Sequence, residues 1–153
     1  MTRFIYKTGN LLDEKVDALV NPVNCCGAMG KGLALQFKKK FPANFSVYKE
    51  ECMEGKVKIG KMLTFMTNHT NPQYIINFPT KIDWHFPSRL NYIVDGMVNL
   101  RTVVKDLGIQ SIAIPALGCG LGQLPWSVIK EIIEGCLKEL KLSAIIYEPR
   151  EKQ

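Results

Sequence analysis

The order of apolar runs in this chain predicts an α/β sandwich on a mostly parallel or mixed sheet. Short stretches rich in β-formers alternate with longer stretches of helical spacing, and two glycine-rich turns each follow an apolar strand and precede a helix. Hydrophobic residues make up 46% of the chain and charged ones 22%, the balance of an ordinary globular protein. The 153 residues read as one domain, 1–153, large enough to bury a core without disulfides or metal.

Phe4 to Lys7, Ala18 to Val20, Met62 to Met66, Tyr74 to Asn77, Ser111 to Ile114 and Ser143 to Tyr147 read as strands. Lys31 to Phe41, Ala43 to Glu54, Ser88 to Leu107 and Trp126 to Leu140 read as helices. In the third helix Leu90, Ile93, Val94, Met97, Leu100, Val103, Val104 and Leu107 recur every three or four residues behind Ser88, its N-cap candidate. Gly108 supplies the stop, and the apolar stripe is read as core. Lys38, Lys39 and Lys40 close the first helix, where cations suit the C-terminal dipole without any ligand.

The first glycine turn runs from Val20 through Asn21, Asn24, Gly27 and Gly30 to Gly32; the second holds Gly118, Gly120 and Gly122 alternating with Cys119 and Leu121. In α/β sheets ligands gather beyond the carboxyl ends of strands, where both turns fall. Gly30 and Gly32 stand where a helix begins, so their amides suit an anion, while Asn21 and Asn24 suit a ribose diol. The alternative is that these residues only satisfy tight turns. Neither turn matches a phosphate-loop NTPase or dinucleotide fingerprint, so a nucleotide-like ligand is expected by a different loop chemistry.

A formal charge of +6 would favour a polyanionic partner, although lysine-rich surfaces are common without one. Five cysteines, with Cys25 and Cys26 adjacent, form neither a disulfide framework nor a Cys-x-x-Cys pair. His69 and His85 complete no zinc spacing, so a reducing compartment and no metal are expected. The chain opens directly on strand-like residues, and no apolar run reaches the roughly 18 to 20 residues of a membrane span, so a cytoplasmic location and no membrane partner are expected.

Cys119 lacks an arrangement of histidine or asparagine that would activate it, so it is not read as a nucleophile. Lys81, two residues after Pro79, is open between a surface lysine and a partly desolvated amine that attacks or carries a proton. Asp83 and His85 would face the same side of an extended loop; one aspartate and one histidine there are more often structural than an acid–base pair. Trp84 suits stacking on a base or covering the core.

Gly9-Asn10-Leu11-Leu12, the Val20-Asn21-Pro22-Val23-Asn24 strand end, the helix start from Met29-Gly30-Lys31-Gly32 to Lys38, and Gly118-Cys119-Gly120 resemble the macrodomain family, in the family's order and over nearly the whole chain. The resemblance implies a three-layer α/β/α sandwich with a central mixed sheet that binds ADP-ribose. Met29-Gly30-Lys31-Gly32 together with Asn77-Phe78-Pro79-Thr80-Lys81 and Gly118 to Trp126 looks most like the DarG type, the antitoxin half of the DarT/DarG system. Macrodomains of that type remove ADP-ribose placed by the toxin on thymine in single-stranded DNA.

Carried over residue by residue, the resemblance makes Lys81 the catalytic residue and sets Gly9, Asn10 and Leu11 at the adenine. Asn21 and Asn24 would place the distal ribose, and the amides of Gly30, Gly32, Gly118, Gly120 and Gly122 would hold the diphosphate. Met29, Thr80, Cys119 and Leu121 complete the substrate-binding set. No metal or cofactor is implied. Two positions depart from relatives: Asn10 stands where many macrodomains have aspartate, and Gly122 where the human glycohydrolase acting on glutamate has aspartate. The two-residue Lys/Asp mechanism of that enzyme therefore does not transfer whole.

Trp84, His85 and Arg89 are expected to edge an opening toward DNA. ADP-ribose and ADP-ribosylated single-stranded DNA are the expected partners, with a DarT-type toxin added if a further domain follows. The alternatives are a reader of ADP-ribose that does not cut, and a macrodomain hydrolase of ADP-ribosylated protein or ADP-ribose 1″-phosphate.

Overall fold

The computed structural model describes residues 1–149; the expected domain 1–153 also takes in 150–153, which lie outside the described residues. Its strands are β1 (Arg3–Lys7), β2 (Ala18–Asn24), β3 (Leu63–Met66), β4 (Tyr74–Lys81), β5 (Ser111–Ile114) and β6 (Ser143–Tyr147). Its helices are α1 (Gly32–Lys40), α2 (Pro42–Met53), α3 (Leu90–Leu107) and α4 (Trp126–Leu137). The six-stranded sheet runs β1-β6-β5-β2-β4-β3. Every neighbour is parallel except β3, which pairs antiparallel with β4 through Leu63↔Asn77 to Met66↔Tyr74.

The period-two alternation of the strands divides the core between two faces. Ala18, Val20, Ile76, Phe78, Ile112 and Ile114 pack against Ile93, Met97 and Leu100 of α3 and Ile129 and Ile133 of α4. The intervening Leu19, Ile75 and Ala113 pack against Phe37 of α1, and Val23 and Met29 join Tyr48 of α2. Helices thus cover both faces, as expected for a sandwich. Each fully buried large apolar side chain contributes roughly 1.5–3 kcal/mol. Closest packing falls at Gly96 of α3, where a Cβ would stand 2.3 Å from the Phe78 ring.

Two strands are longer than their sequence suggests. β2 continues past Val20 to Asn24 and β4 past Asn77 to Lys81, although each extension contains a proline. Proline is tolerated where a strand needs one hydrogen-bonded neighbour rather than two. That holds here: β5 leaves β2 at Leu19, before Pro22, and β3 leaves β4 at Asn77, before Pro79. The two extensions pair with each other, Val23 with Pro79 and then, across a bulge, Asn24 with Lys81. They form a two-stranded ledge beyond the main sheet, and the candidate site lies on it.

Helix ends differ in smaller ways. α3 starts at Leu90 behind Arg89, not with Ser88 as cap, because the Ser88 hydroxyl donates to the carbonyl of Thr80 instead. Its far end stops at Gly108 in the left-handed conformation, φ 64°, as expected. α4 ends at Leu137 rather than Leu140. There Thr2 takes the final carbonyls: its amide donates to Lys138, and its hydroxyl donates to Leu137 and lies 3.0 Å from the carbonyl of Leu140. Among the described residues no helix is long and apolar enough to cross a membrane.

Candidate functional site

A cleft of about 1160 Å³ opens at the carboxyl ends of the parallel strands, bounded by both glycine turns, the β2–β4 ledge and the Gly9–Leu11 segment. Small-molecule pockets usually measure ~300–1,000 Å³, so this one has room for a large ligand. A second cavity of about 360 Å³ between α3 and α4 contains no expected site residue.

Gly9, Asn10, Leu11, Asn24, Gly30, Gly32, Thr80, Lys81, Gly118, Gly120, Leu121 and Gly122 all line the cleft. Asn21, Met29 and Cys119 do not, and each has a local reason. Asn21 is fully buried, and its side-chain amide donates to Asn77 Oδ1 at 3.1 Å and contacts Met29 Sδ at 3.8 Å. Asn77 in turn exchanges bonds of 3.1 and 2.8 Å with Asn44 of α2. Asn21 therefore ties β2 to β4 rather than reaching a ribose, and its Oδ1 finds no partner. Met29 is 1% exposed in the α2-side core. Burial pushes the Cys119 thiol up to about 11, so it carries little thiolate at neutral pH.

Asn24 lines the cleft, but its polar atoms mainly organise the turn. Its Nδ2 donates to the carbonyl of Ala28 at 2.8 Å, while Oδ1 accepts the amides of Cys26 at 3.1 Å and Ala28 at 3.4 Å. From α2 the buried Tyr48 hydroxyl donates to Asn24 Oδ1 at 2.6 Å and lies 2.7 Å from its carbonyl oxygen. The turn is thus wound around one asparagine and fixed by one phenol. Beyond it Gly32 opens α1 with φ 58°, a left-handed position natural to glycine. Asn10 behaves similarly, its Oδ1 accepting the Leu12 amide at 3.1 Å to cap a short 3₁₀ turn over Leu11–Asp13.

Lys81 ends β4 and lies beside Asn24 across the ledge. It is half-buried, and desolvation pushes its ammonium below the ordinary lysine value. Among the described residues it forms no ion pair; the pairs present are Lys7–Glu14, Lys56–Glu54 and His85–Asp83. A desolvated amine without a carboxylate is suited to shed its proton or attack carbon.

Past Lys81 the chain turns through Ile82–Phe86. Asp83 and His85 meet within this turn rather than along an extended segment: Asp83 Oδ1 accepts the His85 amide at 2.9 Å and lies 2.6 Å from Nδ1. Those contacts, the backbone one foremost, hold the Asp83 carboxyl below its ordinary value. Trp84 stacks on the His85 ring with centroids 3.7 Å apart, yet is 50% exposed and covers no core. Trp84, His85 and Phe86 line the lip of the cleft, whereas Arg89 is not part of the lining.

Ser88 closes this loop in a way its sequence position conceals. Its hydroxyl donates to the Thr80 carbonyl and its amide to the Gly122 carbonyl at 3.1 Å, joining the end of β4 to the second glycine turn. Serine before a helical pattern reads as a cap, and nothing local reveals the longer reach. Tyr48 is equally silent in sequence, an aromatic within an ordinary helix. Among the described residues no three His, Cys, Asp or Glu side chains are grouped to hold a metal.

The Macro domain family model matches residues 20–133 of this chain. The chain belongs to the macro domain family. A "DNA ADP-ribosyl glycohydrolase" of Thermus aquaticus is 44% identical over 153 residues, a match covering 99% of this chain and 42% of that protein, so the chain spans less than half its length. The macrodomain of Mycobacterium tuberculosis DarG superposes with a TM-score of 0.96 at 43% identity, covering 98% of this chain and all of that one. Thermosipho africanus DarTG, solved in complex with ADP-ribose, gives 0.88 at 32% identity over 95% of this chain and 41% of that one. The macro domain fold and the likeness to the DarG type, both expected from sequence, are borne out.

Proposed function

We propose that this macro domain is a hydrolase that removes ADP-ribose from thymine in single-stranded DNA. The observation that carries the reading is Lys81: half-buried, without a carboxylate among the described residues, lining a cleft roomy enough for ADP-ribose. The identity to DNA ADP-ribosyl glycohydrolases supports ADP-ribosylated DNA as the substrate class. The diphosphate lies between the amides of Gly30 and Gly32 and those of Gly118, Gly120 and Gly122. Adenine lies toward Gly9, Asn10 and Leu11, and the distal ribose presents its anomeric carbon to Lys81. Trp84 and His85 border the side from which DNA arrives. An ADP-ribosyltransferase toxin of the DarT type is the enzyme whose product this domain clears, and the cytoplasm is where both act.

The test offers three substrates: a thymine-modified oligonucleotide, a glutamate-modified protein and ADP-ribose 1″-phosphate. The expected result is release from the oligonucleotide, with Lys81→Ala slower by roughly 10²–10⁴-fold and binding free ADP-ribose as before. Release from protein or the phosphate ester alone would overturn the reading, as would ADP-ribose binding without any release.

A further inference from the structure

We infer that His85 is a second catalytic residue, the proton donor to the departing base; this rests on the hydrolase reading above. Five titratable side chains line the cleft: Lys31, Lys81, His85, Tyr147 and Glu148. Three are placed or engaged elsewhere. Tyr147 and Glu148 stand at the end of β6, beside the Gly9–Leu11 segment; the Tyr147 hydroxyl donates to Glu14 at 2.7 Å, and Glu148 accepts from the Trp126 indole at 3.3 Å. Lys31 precedes α1 at the expected diphosphate site. At the Lys81 end only Lys81 and His85 remain, and no carboxyl lines that end.

The loop also fixes His85 more firmly than exposure would suggest. Side chains on exposed turns normally keep rotamer freedom, because ordering them costs entropy with no core in return. Here one carboxylate oxygen of Asp83 engages both the backbone amide and the ring of His85, and Trp84 stacks on the ring with an interplanar angle of 26°. An ionised Asp83 only accepts, so Nδ1 donates and Nε2 is the nitrogen left to exchange a proton with a ligand. A histidine with its tautomer and plane both set, facing the same cleft as a desolvated lysine, is built for proton transfer.

The step balances with water alone. His85 enters the step as the imidazolium, Nδ1–H on Asp83 and Nε2–H toward the base. The bond from the anomeric carbon to the base breaks, the base leaves with the electron pair and takes the Nε2 proton, and His85 is left neutral. Water supplies hydroxide to the anomeric carbon on the Lys81 side, and its remaining proton restores His85. One water is consumed; ADP-ribose and unmodified DNA are released. Asp83 and Trp84 act through His85 and are positioning residues.

A leaving group that needs no proton isolates this role. The experiment compares wild type and His85→Gln on the thymine-modified oligonucleotide and on 4-nitrophenyl ADP-ribose, whose nitrophenolate departs unassisted. His85 is exposed, so the substitution spares the core, and unchanged affinity for free ADP-ribose verifies the fold. The expected result is a loss of about 100-fold or more on DNA and a far smaller loss on the nitrophenyl substrate. Equal losses on both, or none on DNA, would overturn the assignment to His85 alone. A wild-type protein that leaves the oligonucleotide intact would overturn the hydrolase reading itself.

Discussion

At Gly122 an added Cβ would stand 2.4 Å from the carbonyl oxygen of Gly118, whereas at Gly30 it would meet nothing within 4 Å. Gly118 adds a φ of +74° and a contact of 2.8 Å from a Cβ to Leu124, while Gly120, like Gly30, faces open space. The two turns look alike in sequence but use glycine differently. In the second, glycine lets the backbone close on itself, and the cleft inherits the resulting shape. In the first, Gly32 supplies a left-handed bend, and Gly30 has no intramolecular need to lack a side chain. A glycine free of internal cause, lining a cleft, is what close approach by a ligand requires.

Substitutions can pull these explanations apart. The largest effect is expected at Gly122→Ala, where backbone must yield: about 3 kcal/mol of stability lost in urea unfolding, with ADP-ribose binding lost too. Gly30→Ala should leave unfolding unchanged or slightly improved while calorimetry shows affinity for ADP-ribose falling by roughly ten- to a hundredfold, the equivalent of about 1–3 kcal/mol. If Gly30→Ala binds normally, the first turn does not approach the diphosphate closely, and the contrast between the turns fails.

Next comes Asn24→Ala, which removes the shared acceptor of two amides and the Tyr48 phenol and should cost about 2 kcal/mol of stability. Tyr48→Phe deletes one donor and should cost about 1 kcal/mol; equal stability in Tyr48→Phe would show that the turn holds without α2.

The smallest effect to resolve is a pH profile. Desolvation lowers the Lys81 pKa, so if the free amine acts, hydrolysis of the nitrophenyl substrate, which needs no acid, should rise with pH and level off below the ordinary lysine value of about 10.4. A profile still climbing past that value would assign the titration to another group.

The strand and helix order was legible because the strands alternate at period two and α3 and α4 carry clean helical periodicity. The ledge was not, since Pro22 and Pro79 read as strand ends and only the sheet order shows that each needs a single neighbour there. Asn21 and Asn24 looked equivalent, two amides three positions apart. The strand buries Asn21 in the Asn44–Asn77 network, whereas Asn24, past the bulge, reaches the cleft, a difference of burial that composition does not carry. Lys81 was open between surface lysine and reactive amine on its own residues. Resemblance selected it, and burial without a carboxylate among the described residues gives the proposed role a physical basis. Asp83 and His85 were read as a structural pair because their spacing says nothing of the turn that locks them together.

Ser88 gives the cleft its mechanical character. By tying Thr80 and Gly122 together it staples the base of the Ile82–Phe86 loop to the second glycine turn. Such a loop cannot swing away and shut over its ligand as a hinged flap would. On the proposed substrate, selection then falls on the nucleic acid: a strand is processed when its modified base already stands clear of its neighbours, and one still stacked has to wait.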